Sequence, residues 1–148
     1  KVMPTSLSMY LHIPSVSDKA MAPENSESMY VLLPMPNLAG NIVWNQATSD
    51  KVRNWVVDYL ENDFGLENFS NEIEVEHRFI PTDFESQLNS HLGSAFATEL
   101  RLMQSVYFRQ HNKSDEFDNL YFVGAGTHPG PGVPGVLLSA KCTADLIY

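Results

Sequence analysis

At 148 residues, with 43% hydrophobic and 18% charged side chains, the chain has the size and balance of one ordered domain. Nine basic against 18 acidic residues leave a formal net charge of −9, which argues against a nucleic-acid surface and against broad adhesion to anionic lipid. The single cysteine, Cys142, excludes an internal disulfide and a cysteine-based zinc site and points to a reduced, cytoplasmic setting; no apolar run is long enough to span a bilayer.

Ser6 to Ile13 and Met29 to Leu33 read as two strands, an antiparallel pair joined by the polar surface loop Ser15 to Ser28. After the turn-rich link Pro36 to Asn41, Ser49 or Asp50 is expected to cap a helix over Lys51 to about Asp63. Val52, Trp55, Val56, Tyr59 and Leu60 recur on its core face, and Gly65 ends it. Ile73 to Phe79 alternates with Glu72, Glu74 and Glu76, the pattern of a strand with one solvated face. Pro81 to Phe84 opens a short helix that Thr82 or Asp83 is placed to cap. Ser90 to Tyr107 reads as a glycine-bearing loop followed by a short helix. Asn119 to Val123 is apolar without alternation, which predicts a strand buried on both faces. The loop Gly124 to Gly135 follows, and then a helix from Pro134. Val136, Ala140, Thr143 and Ile147 share one face of it, and the small Ser139, Ala140, Thr143 and Ala144 allow close packing.

Several features point to no chemistry. His12, His77 and His91 are scattered without metal-ligand spacing, Ser139 and Lys141 form no nucleophile pair, and the six methionines suit core packing better than a substrate channel. The start, Lys1-Val2-Met3, lacks a signal-peptide core and an initiator methionine. The chain is therefore expected to be a piece of a longer protein.

The chemistry concentrates in the last third. A strand, a glycine-rich loop and a helix start bring backbone N–H groups and a partial positive charge to a ligand without Cβ obstruction. Gly124-Ala125-Gly126 resembles the opening of a dinucleotide fingerprint, but Gly130 falls one position late and no acidic residue follows about 20 residues on. On these residues alone, a ligand loop and a tight turn both stay open.

The run Asn119-Leu120-Tyr121-Phe122-Val123-Gly124-Ala125-Gly126-Thr127-His128-Pro129-Gly130, continued by Gly132-Val133-Pro134-Gly135 and Ser139-Ala140-Lys141, resembles the carboxy-terminal signature of bacterial-type phytoene desaturases. Tyr10-Leu11-His12, Tyr30-Val31-Leu32, Pro36-Asn37-Leu38, Thr82-Asp83-Phe84, Gly93-Ser94-Ala95-Phe96, Gln104-Ser105, Phe108-Arg109 and His111-Asn112 follow the same pattern in order. Two positions depart from it: Pro131 stands where a small residue is common, and Gln110 where proline is common. Pro131 removes one backbone N–H from the loop.

The resemblance implies an FAD enzyme that desaturates an apolar polyene. Its fold would be mixed α/β, with residues 1–117 contributing part of an antiparallel substrate-domain sheet and residues 118–148 the final strand, loop and helix of a Rossmann-like flavin domain. It places Gly124, Ala125, Gly126, Thr127, His128, Pro129, Gly130, Gly132, Val133, Pro134 and Gly135 at the flavin, with Val133 to Gly135 against its ring. His128 is the candidate proton acceptor, against the plainer reading that it holds the loop. Arg109, His111 and Asn112 would steady the flavin or a neighbouring loop, or lie on the surface. The implied partners are a carotenoid and a membrane surface, with self-association of the piece alone. The competing readings are a non-catalytic binding domain of the same fold, an amine oxidase-like enzyme and a retinol saturase-like enzyme.

Overall fold

Residues 3–6, 8–96 and 108–148 are described by the computed structural model of the chain. It divides into two compact units, Lys1–Gly93 and Ser94–Tyr148. The expected mixture of helix and antiparallel strand is present, with two strands and four α-helices among the described residues.

In the first unit β1 (Tyr10–His12) pairs antiparallel with β2 (Tyr30–Leu32), Leu11 opposite Val31. Both are shorter than their apolar runs, and Pro14 and Pro34, which cannot donate to a ladder, stand just past their carboxy ends. The polar stretch between them is anchored rather than loose. It forms two 3₁₀ turns, Pro14–Val16 and Lys19–Met21. The fully buried Ser15 hydroxyl donates to the Glu27 carboxylate and accepts the Ser28 N–H at 3.1 Å. Lys19 Nζ holds the other Glu27 oxygen at 2.9 Å.

Helix α1 (Gln46–Asn62) begins a turn and a half before the apolar periodicity does. Its cap is Asn45, whose side chain accepts the Thr48 N–H at 2.9 Å, so the expected caps Ser49 and Asp50 lie inside the helix. The first turn is polar, so periodicity could not locate it. Val57 and Leu60 are buried, Trp55 and Val56 half-buried, and Tyr59 is exposed, which turns the core face slightly from the one expected. Gly65, at φ +85°, stands past the helix end as expected. Glu61 then accepts the Ser70 N–H at 2.7 Å and so holds the start of the short α2 (Phe69–Glu72).

Ile73 to Phe79 is not a strand. No ladder partner reaches it among the described residues, and Val75, on the expected apolar face, is 89% exposed. What holds the segment is charge. Glu76 bonds Arg53 of α1 and Arg78, each at 3.0 Å, and Arg78 bonds Asp50 of α1 at 2.7 Å. Alternation alone signals a strand, but a strand also needs a neighbour. Arg78 and then Gln46, by hydrogen bonding, hold the Asp50 carboxyl below the usual carboxylate range. A lowered folded-state pKa adds stability above the unfolded value that is lost as pH falls through the folded value. The Asp50 contribution is therefore complete above about pH 4 and disappears below it. In an Arg78→Ala variant, the Asp50 carboxyl titration followed by carbon NMR should move up toward the ordinary carboxylate range; an unmoved curve would exclude this ion pair.

Helix α3 (Pro81–Leu88) carries Asp83 at its third position, not at its cap; the carboxylate reaches back to the Ile80 N–H at 2.9 Å. Phe84 meets Phe79 edge to face, with ring centroids 4.6 Å apart. The turn His91–Gly93 follows, and the Leu92 carbonyl accepts the Leu38 N–H at 2.9 Å. The short helix expected before Tyr107 lies outside the described residues, as do Met103, Gln104 and Ser105.

The second unit ends in α4 (Val133–Ile147), which starts one residue before the expected Pro134. The predicted strand Asn119 to Val123 is reduced to a single antiparallel bridge, Lys113 with Tyr121, and is not buried on both faces: Leu120 is 40% and Val123 59% exposed. A bridge neighbour pairs with the edge of a strand and covers neither face, so burial on both faces would need layers packed above and below it. No helix among the described residues is long and apolar enough to cross a membrane.

Candidate functional site

Gly124, at φ +119°, starts the glycine loop in a conformation that side chains disfavour. Ala125 and Gly126 form the turn, which closes when the Thr127 N–H and hydroxyl both donate to the Gly124 carbonyl, at 3.2 and 3.0 Å. Thr127 bridges in parallel to Gln110, and the His128 N–H donates to the Gln110 carbonyl at 2.9 Å. A cis peptide joins His128 to Pro129. Gly130 is buried at φ +138°; a Cβ there would stand 3.1 Å from the guanidinium Nη1 of Arg109, itself only 4% exposed. Gly132, at φ +92°, is the residue before α4, and no side chain caps that helix.

The loop and the helix start meet without a side chain between them. A Cβ on Gly135, at the third position of α4, would lie 2.5 Å from the Gly130 carbonyl oxygen. Val133 and Pro134 are exposed beside it, and Pro134 has no N–H to offer. The expected residues Gly124 to Gly135 are thus gathered into one bend with the helix start.

Beneath the bend lies a polar core that the sequence did not announce. Ser139 is fully buried, and Thr127 and Asn112 are 6% and 5% exposed. The Asn112 side-chain amide lies within 3.1–3.3 Å of the Thr143 hydroxyl, the Ser139 hydroxyl and carbonyl, and the Phe122 carbonyl. Ser139 Oγ accepts the Gly124 N–H at 3.0 Å and lies 2.7 Å from Thr127 Oγ1. Thr143 Oγ1 donates to the Phe122 carbonyl at 2.8 Å.

This core corrects the expected packing of α4. Its inward residues are Gly135, Val136, Ser139, Cys142 and Thr143, while Ala140 and Ile147 are exposed. Lys141 pairs with Asp145 at 3.0 Å, away from Ser139. Arg109 is buried against Gly130 and also borders an open polar depression, lined by Phe108, Gln110, His111 and Asp115, in which His111 is exposed. Among the described residues no three His, Cys, Asp or Glu side chains gather as a metal site would require.

No family model matches the chain. Curated proteins do. It is 46% identical over 142 residues to the phytoene desaturase (lycopene-forming) of Pseudescherichia vulneris, covering 95% of this chain and 28% of that protein. It is 45% identical over 145 residues to the 4,4'-diapophytoene desaturase (4,4'-diaponeurosporene-forming) of Staphylococcus haemolyticus, covering 97% and 29%. It is 41% identical over 143 residues to the phytoene desaturase (neurosporene-forming) of Rhodobacter capsulatus, covering 95% and 27%. The chain is thus related in sequence to the carotenoid desaturases, and it spans less than a third of the length of the relatives it matches.

Proposed function

We propose that this chain supplies one wall of the flavin site in an FAD-dependent desaturase that converts C–C single bonds of a long apolar polyene to double bonds. The observation that carries the reading is the bend itself: a glycine loop held on buried hydroxyls and opening onto a 15-residue helix that no side chain caps. The same bend lies in the run that resembles the desaturase signature.

The donor set fits FAD. The first turn of α4 offers backbone N–H groups at Val133 and Gly135 and the positive end of a helix dipole. A Cβ built on Gly124 or Gly132 meets no protein atom within 4 Å, so both glycines leave backbone open on the outer side of the loop. Bound FAD would supply the two-electron acceptor for the oxidation, taking up a hydride while a proton leaves the substrate. The residues of this chain would hold the electron-rich ring edge against Val133 to Gly135, exclude Cβ atoms from the approach, and place positive potential where reduction adds negative charge. Gly124 to Gly130 would line the remaining flavin contacts by backbone. The His128 backbone N–H ties the loop to the Gln110 carbonyl, and the residue is assigned to holding the loop, with its ring left to the test below. The remainder of the flavin site, and the division of the chain near residue 117 into substrate and flavin parts, belong to the same reading.

A carotenoid dissolves in the bilayer, so such an enzyme would work as a peripheral protein at a membrane surface, on the cytoplasmic side. Leu137, Leu138, Leu146 and Ile147 of α4 are each about half exposed or more, which supports further packing onto this helix and self-association when the chain is alone.

The test is to isolate the native protein and ask for flavin bands in its visible spectrum, FAD release on denaturation, and lengthening of the chromophore of a phytoene-type polyene. Absence of bound or bindable FAD defeats the reading. In the same assay His128→Gln should keep turnover within about tenfold of the parent. A loss of about a hundredfold or more would instead make His128 the proton acceptor.

A further inference from the structure

The hydroxyls under the glycine loop form a closed circuit. The distances allow an assignment in which each hydroxyl donates one proton and the Asn112 amide donates two. The two Asn112 amide protons go to Ser139 Oγ and Thr143 Oγ1. Ser139 Oγ also accepts the Gly124 N–H, and gives its own proton to Thr127 Oγ1. Thr127 gives its proton to the Gly124 carbonyl, and Thr143 gives its proton to the Phe122 carbonyl. The N–H and the C=O of Gly124 are therefore both gripped by one pair of side-chain hydroxyls. Ser139 holds this grip while wholly shielded from solvent, so it acts on the loop and on no ligand.

We propose that Ser139, with Asn112 behind it, is a positioning residue for the flavin: the Ser139–Thr127 hydroxyl pair sets the orientation of the two peptide planes that meet at Gly124 and so the height of the loop relative to the helix start. This rests on the reading of Gly124 to Gly135 as a flavin wall. Thr143 is the internal control. It joins the same core but touches no atom of the glycine loop: its hydroxyl reaches the Phe122 carbonyl, upstream of the loop, and the Ser139 backbone carbonyl one turn back in α4.

The experiment is a titration of the flavin-stripped native protein with FAD, read by flavin fluorescence and by the visible circular dichroism of bound flavin, beside a thermal melt. Ser139→Ala should raise the FAD dissociation constant roughly tenfold, the equivalent of one net buried hydrogen bond, and alter the flavin dichroism. Thr143→Val should lower the melting temperature about as much as Ser139→Ala does, with the dissociation constant kept within about twofold. If Ser139→Ala does not fold, Thr127→Val should weaken FAD and Thr127→Ser, which keeps the hydroxyl, should restore it. Equal effects of Ser139→Ala and Thr143→Val on binding and dichroism, or no effect of Ser139→Ala on either, overturn the positioning role. Gly135→Leu separates the two levels of inference. If it abolishes FAD binding while Ser139→Ala changes nothing, only the positioning role fails; if it leaves FAD binding intact, the flavin wall fails and the positioning role with it.

Discussion

A Gly135→Ala variant should lose about 1–3 kcal/mol of stability by denaturant unfolding, the usual cost of overpacking, and should weaken FAD by about a hundredfold or more. The added methyl would stand 2.5 Å from the Gly130 carbonyl oxygen and 3.2 Å from its carbon. Both are backbone atoms, so no rotamer change relieves the contact. Gly130 is itself buried, with Arg109 Nη1 3.1 Å from where its own Cβ would stand. The helix start must therefore lift off the loop, and the two halves of the proposed flavin wall would separate. Wild-type stability and FAD affinity together in Gly135→Ala would exclude this loop–helix contact. Gly124→Ala makes the useful contrast, because its Cβ meets no protein atom and its cost is confined to the backbone at φ +119°. Loss of FAD far beyond its loss of stability would report a ligand in that space.

Gly93→Ala should be the most damaging single-methyl change in the first unit, at about 3 kcal/mol or more, since two penalties act together. The residue sits at φ +63°, and a Cβ would fall 2.1 Å from the Pro81 carbonyl oxygen and 2.7 Å from its carbon. Pro81 is the first residue of α3, and the turn that Gly93 closes also receives the Leu38 N–H on Leu92. Displacing the turn should therefore unseat the start of α3 and the link at Leu38 together. Amide hydrogen exchange would show this as joint loss of protection at Leu38 and at the amides of α3, with a lowered denaturant midpoint. An unfolding free energy within about 0.5 kcal/mol of the parent would rule out the close approach of Gly93 to Pro81.

Residues near one another in the chain were legible in the sequence. The pairing of Tyr10–His12 with Tyr30–Leu32, the helix around Val52 to Leu60, and the passage from Gly124 through Pro134 into a helix all rest on contiguous patterns of apolarity, proline and glycine. The desaturase likeness was legible for the same reason, being carried by an unbroken run and a series of short ordered segments. The expected helix caps failed more narrowly. Asn45 precedes a polar first turn, and Asp83 acts from the third position, so the apolar period marked neither boundary.

Tertiary structure alone decided the rest. The alternation of Ile73 to Phe79 stated a preference for a strand, yet Arg53 and Arg78 hold its Glu76 where no ladder partner lies among the described residues. Asn112 was a candidate for steadying a neighbouring loop, but its partners Ser139 and Thr143 were not legible, because positions 27 and 31 apart leave no local period. The sequence by itself determined where a glycine loop meets a helix and which family it resembles, since local backbone preference depends on neighbours in the chain. The folded unit determined how that loop is gripped, since a buried hydroxyl takes its role from whichever donors and acceptors the fold brings within hydrogen-bond reach.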